Sequence, residues 1–169
     1  MRGMKKMKKL SDIFDFAYGN KFDLNKMIIL PKEGEDSVNF VGRTGKNLGV
    51  TAIVKKLSDV EPYPNGLITV ALGGSILSSF IQLKPFYTAQ NIMVLTPKKP
   101  MTFQEKAYYC NCIKQNRFRY SAFGREANRT LKLLKVPESP PKWVNEIDLS
   151  KHLQKRIQME AKRLLEESQ

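Results

Sequence analysis

The hydrophobic pattern of this chain changes period once, close to residue 100, and that change limits the fold more than any single motif. Ahead of it, apolar residues come in short runs punctuated by Gly, Pro and Asn: "VNFVGRTGKNLGVTAIV", "YPNGLITVALGGSILSSF" and "FYTAQNIMVLTP". Runs of this kind read as strands. Behind it, "TFQEKAYYCNCIKQNRFRY" opens with Thr102 and Glu105 at capping-box spacing, which predicts a helix of about three turns. An α/β (α+β) chain is expected, with its first hundred residues β-rich. At 169 residues it is one domain, or one domain with an appendage, and long enough to bury a core.

Finer features fill this frame. "SDIFDFAYGN" predicts a short helical turn at Ser11–Phe14, then a strand and a Gly-containing turn. Strands at Val38–Val41 and Val50–Val54 flank a basic, glycine-punctuated loop, Gly42–Gly49. An Asn65-Gly66 turn leads into an apolar strand that ends at Gly73-Gly74, and a further apolar strand is closed by Pro97. The proline-rich "VPESPPKWV" is a linker or a rigid loop. Beyond it, Leu149, Leu153, Ile157, Ala161 and Leu164 line one stripe of a long amphipathic helix. About 23 residues at 1.5 Å each give a rod of roughly 34 Å, marginal alone, so its stripe should pack on something. The expected organisation is a basic N-terminal arm (1–9), a β-rich domain (10–144) and a C-terminal helix (145–169).

Charge indicates the partner. Twenty-nine Lys and Arg against 16 Asp and Glu give +13, and a pI near 9.8 points to a polyanion. The chain has no apolar run of membrane-spanning length and no evident lipidation signal. "MRGMKKMKKLSDIF" lacks the apolar stretch of a secretory signal and reads as an arm that strengthens phosphate contact, or as a solubilising start. Cys110 and Cys112 point to different faces of the predicted helix, which favours reduced thiols over a disulfide or zinc site. With one histidine in the chain, neither His-based catalysis nor a His metal site is expected. The cytoplasm is the expected compartment.

Catalytic motifs fail on inspection. "GRTGKN" resembles part of a P-loop, but Phe40 stands where that pattern needs Gly and Asn47 where it needs Ser or Thr. In "SPPKW", Lys142 follows the prolines where an amino-methyltransferase base-flipping loop has an aromatic, and no glycine-rich loop for S-adenosylmethionine appears. The carboxylates Asp12, Asp15, Asp23, Glu33, Glu35 and Asp36 are scattered, without the clustering of a metal-dependent nuclease. No catalytic residue, metal site or cofactor is expected.

Two constellations fit a nucleic acid better. Arg43, Thr44, Lys46 and Asn47 place cations, a hydroxyl and an amide between glycines, suited to phosphates and base edges. Arg117, Arg119, Tyr120, Arg125, Asn128 and Arg129 place guanidiniums, a phenol and an amide within 13 residues. Arginine can grip guanine and asparagine adenine, each bidentate pair adding about 1–3 kcal/mol of discrimination. Plain alternatives stand beside each: a solvated hairpin loop for the first and a basic helix-to-helix turn for the second. Gly73-Gly74 reads as a tight turn, and Gln90 and Asn91 as backbone ties.

Four blocks in order, "VNFVGRTGKNLGV", "GLITVALGGSILSSF", "FYTAQNIMVLTPK" and "NRFRYSAFGREANRTLKLLKVP…PPKWV", resemble target recognition domains of restriction-modification specificity subunits. The similarity is to type I subunits and, more closely, to the specificity regions of type IIB/IIG enzymes, and runs from about Leu10 to Val144. The resemblance implies a non-catalytic domain that reads half of a bipartite target in double-stranded DNA through the major groove. It implies a following helix that pairs antiparallel with that of another recognition domain, and catalysis in a separate modification or restriction subunit. Such subunits usually carry two recognition domains and two helices, whereas this chain has one of each. A half-subunit is expected, pairing with a second copy on a palindromic target or with a different half; Met1 and an intact terminal helix speak against a fragment. The alternative is a specificity-like regulator or inhibitor that blocks assembly or DNA access of such a complex.

Overall fold

The computed structural model describes residues 5–118, 127, 129–148 and 150–151. In chain order the elements are β1 (Met7–Lys9), α1 (Leu10–Ile13), β2 (Phe14–Ala17), β3 (Ser37–Val41), β4 (Val50–Lys55) and β5 (Ile68–Ala71). β6 (Ser79–Ile81), β7 (Phe86–Thr88), β8 (Ile92–Pro97), α2 (Phe103–Lys114) and β9 (Lys135–Pro137) follow, with short 3-10 turns between.

The strands form a four-stranded sheet in the order β2-β8-β5-β6, a three-stranded sheet in the order β4-β3-β7, and the pair β1-β9. All pairings are antiparallel except that of β3 with β7. β5 and β8 lie in the middle of the larger sheet and are covered on both faces, which is why their sequences are mostly apolar, with Thr69 of β5 the buried polar exception. Ile68, Val70, Met93 and Leu95 face one core, shared with Tyr109, Cys110 and Ile113 of α2. Ala71, Ile92 and Val94 face another, shared with Val41 and Phe86 of the smaller sheet. The larger sheet is thus sandwiched between α2 and the smaller sheet. The outer face of that smaller sheet buries Val38, Phe40, Val54 and Tyr87 beneath Phe22, Leu24 and Met27.

α2 begins where the capping box places it. The Thr102 hydroxyl accepts from the Glu105 amide at 3.1 Å, and the Glu105 carboxylate accepts from the Thr102 amide at 2.9 Å. Thr102 Oγ1 also donates to Asn145 Oδ1 at 2.6 Å, in the 3-10 turn Lys142–Glu146 that follows Pro140-Pro141. The proline-rich stretch is therefore a rigid loop docked on the start of α2. Within the segment read as an arm, Met7–Lys9 forms β1, paired with β9, and Lys6 and Lys8 both reach Glu138. A three-residue strand has no period to read, and its partner lies far along the chain, so pattern alone missed it. β7 and β9 escaped for the same reason, and β6, which pairs with the neighbouring β5, escaped because three residues are too few to show a period. Residues Leu149, Leu153, Ile157, Ala161 and Leu164 of the expected terminal helix lie outside the described residues; Ser150 and Lys151 are helical.

Candidate nucleic-acid interface

The loop between β3 and β4 has a defined shape. Gly42 N–H donates to Gly49 O at 2.8 Å, and Gly49 N–H to Lys46 O at 2.9 Å. Asn47, Leu48 and Gly49 all take positive φ, at 50°, 56° and 80°. Asparagine tolerates that region, but for leucine it costs roughly 1–2 kcal/mol. Two polar side chains shape the loop from within: Thr44 Oγ1 accepts from the Lys46 amide at 3.1 Å, and Asn47 Nδ2 donates to Val50 O at 3.2 Å. Arg43 and Lys46 are left exposed, and among the described residues neither pairs with a carboxylate.

The double-glycine turn supports this loop from below. Ser75 N–H donates to Arg43 O at 3.0 Å. Gly74 has φ +62°, and a Cβ there would sit 3.0 Å from both Cβ and O of Arg43, so only glycine lets the two turns close on each other. Ser78 lies beneath Gly45, whose added Cβ would be 3.2 Å from its hydroxyl. Arg117, just past α2, donates from Nε to Ile76 O at 2.9 Å and from Nη2 to Ser78 Oγ at 2.8 Å. The loop, the turn and the end of α2 are thereby tied into one surface.

Ala127 brings the chain back to the same place. Ala127 is fully buried and donates its N–H to Leu72 O at 3.0 Å, one residue before Gly73-Gly74. Arg129 follows and is exposed. Arg119, Tyr120, Arg125 and Asn128 lie outside the described residues. One cation was missed by sequence reasoning: Lys114 Nζ sits 4.6 Å from the Phe80 ring centroid, and that ring packs against Gly49. Its signal, a lysine in the last turn of α2, is common to many helices and says nothing of a loop 65 positions earlier.

The segments that build this surface share a charge property. No Asp or Glu occurs in 37–58, 62–104 or 106–125. The ion pairs among the described residues engage Glu33, Glu61, Asp15 and Glu138 instead. Within these segments no acidic residue offsets the cations of the loop. Among the described residues no group of three or more His, Cys, Asp or Glu could hold a metal ion, and no helix is long and apolar enough to cross a membrane.

The model of the family described as the type I restriction modification DNA specificity domain matches residues 2–157. The chain belongs to that family. As a DNA specificity domain it is a recognition component rather than a catalytic one. No curated protein matches the chain. Among solved structures, the S subunit of a type I restriction-modification system from M. genitalium is 18% identical with a TM-score of 0.60, over 85% of this chain and 36% of that one. The HsdS subunit from Thermoanaerobacter tengcongensis is 12% identical with a TM-score of 0.62, over 94% of this chain and 41% of that one. A chain from a structure on complex assembly and conformational transition of the type I R-M system is 14% identical with a TM-score of 0.64, over 99% and 44%. These likenesses are of fold, and the chain spans less than half the length of each.

Proposed function

We propose that this specificity domain reads one half of a bipartite target in double-stranded DNA and directs a modification subunit to it as a half-subunit. The observation that carries the reading is the Gly42–Gly49 loop, which leaves Arg43 and Lys46 exposed, without a carboxylate partner among the described residues, on a backbone fixed by hydrogen bonds. Arg43, Lys46 and Arg129 contact the DNA, joined by Arg119, Tyr120, Arg125 and Asn128. Thr44 and Asn47 act mainly by shaping the loop. Arg117 contributes its charge while bracing the double-glycine turn. Leu149, Leu153, Ile157, Ala161 and Leu164 pair with the helix of a second copy or of another recognition domain, which sets the spacing of half-sites.

The test is selection of bound duplexes from a randomised library by the purified protein, at low and then near-physiological salt. Phosphate binding alone fades steeply with salt, whereas base readout leaves an enriched motif. A gapped palindrome is expected for a paired half-subunit. An ungapped half-site would keep the reader and remove the pairing, and no enrichment at either salt would remove both.

A further inference from the structure

Gln82 carries a buried side-chain amide. The residue is 1% exposed, directly after β6. Its backbone is held on both sides: its N–H donates to Leu67 O at 2.9 Å, and its carbonyl accepts from the Gly66 amide at 2.7 Å. Its side chain uses Nε2 twice, toward Leu48 O at 2.8 Å and Thr69 Oγ1 at 2.9 Å. Thr69 is itself 2% exposed, in the middle of β5. The amide therefore links the larger sheet to the tip of a loop carried by the smaller one.

The residue it grips is the costly one. Leu48 takes φ 56° and ψ 25° and has no side-chain group to offset that conformation by hydrogen bonding. Without an acceptor fixed by something rigid, this position would relax to negative φ and carry Lys46 and Asn47 with it. A buried donor with both protons used and a clamped backbone is such a fixture.

We infer that Gln82 is a positioning residue for DNA recognition, holding Leu48 in the left-handed region so that the Gly42–Gly49 loop is formed before DNA arrives. The inference rests on the proposed role of that loop. It predicts a separation that mere loss of stability would not give: a preorganised reader loses discrimination when loosened, whereas unspecific phosphate attraction, which needs only charge, stays.

The experiment uses the full chain carrying Gln82→Met, which conserves volume and removes both donors, and Gln82→Asn, whose shorter amide cannot span Leu48 and Thr69 together. Should the methionine variant fail to fold, the asparagine variant carries the test. Two quantities are read: hydrogen exchange at the Gly49 amide relative to amides of β5 and β8, and the ratio of target to random-duplex affinity. Exchange at Gly49 should accelerate selectively, and the ratio should fall by about tenfold with random-duplex affinity and salt slope unchanged. Unchanged Gly49 exchange in a folded variant overturns the inference whatever the DNA result, as does an unchanged affinity ratio. A wild-type protein with no preferred sequence would instead sink the proposed function, while the exchange result would still report whether Gln82 holds the loop.

Discussion

Gly19 shows how one residue type can be demanded twice. Its φ is +59°, and a Cβ there would lie 2.1 Å from Thr88 Oγ1. The space is taken because Thr88 and Asn20 exchange hydrogen bonds, Asn20 N–H to Thr88 Oγ1 at 2.8 Å and Thr88 N–H to Asn20 Oδ1 at 3.0 Å. Gly19→Ala should therefore destabilise the domain by about 2–3 kcal/mol, read as a lower urea midpoint at unchanged m-value. The cations separate by role in the same way. On the proposed reading, Arg43→Ala and Lys46→Ala each lower the salt slope of DNA binding by about 1 and leave melting unchanged. Arg117→Ala should instead cost stability, about 1 kcal/mol, since it strips hydrogen bonds from Ile76 O and Ser78 Oγ. Calorimetry beside binding titrations over a salt series distinguishes the two. At this scale the sequence showed which groups were present, but a guanidinium that braces and one that reaches outward look alike in a string.

At the scale of elements, α2 depends on its ends and its buried face. Thr102 serves the helix amide of Glu105 and the Asn145 side chain together, so Thr102→Ala should cost about 1–2 kcal/mol in denaturant unfolding. The buried face carries groups that resist ionisation. Burial, then the neighbouring Cys112, Tyr108, Glu105 and Glu138, push the Tyr109 phenol up to about 12. Burial, against the pull of Lys114, raises the Cys110 thiol to about 12. Both folded values lie above the ordinary ones of 10.0 and 9.0. The unfolded chain thus loses these protons first as pH rises. The stability they protect is intact below about pH 9 and drains away between there and pH 12, so denaturant midpoints measured across this window should fall, and less so for Cys110→Ala. α2 itself was legible because its cap and period are local. β1 and β9 were not, since each is three residues long and finds its reason only in the other.

For the whole molecule, the described domain closes on itself: β1 pairs with β9, and the Leu10 amide meets Leu134 O at 2.8 Å. The 3-10 turn Lys142–Glu146 belongs to this closed unit through Asn145, and the Ile147 amide still reaches Val144 O at 3.4 Å. A chain ended after Ile147 keeps the β1–β9 pairing and the Thr102–Asn145 bond, so it should still unfold cooperatively in denaturant. If the terminal residues pair recognition domains as proposed, that chain should sediment as a monomer and select an ungapped half-site in place of a gapped motif. What the sequence determined by itself depends on neighbours a few residues apart: the strand runs about Val38, Val50 and Ile92, the capped helix at Thr102, a proline stretch that is a linker or a rigid loop, and a strongly basic charge. The acid-free segments were written there too. Tertiary structure alone decided how those segments meet. Gln82 reaches Leu48 across 34 positions and Arg117 reaches Ser78 across 39. A hydrogen bond or a desolvated contact depends on distance in space, and local pattern ceases to report that distance once the chain has turned back on itself.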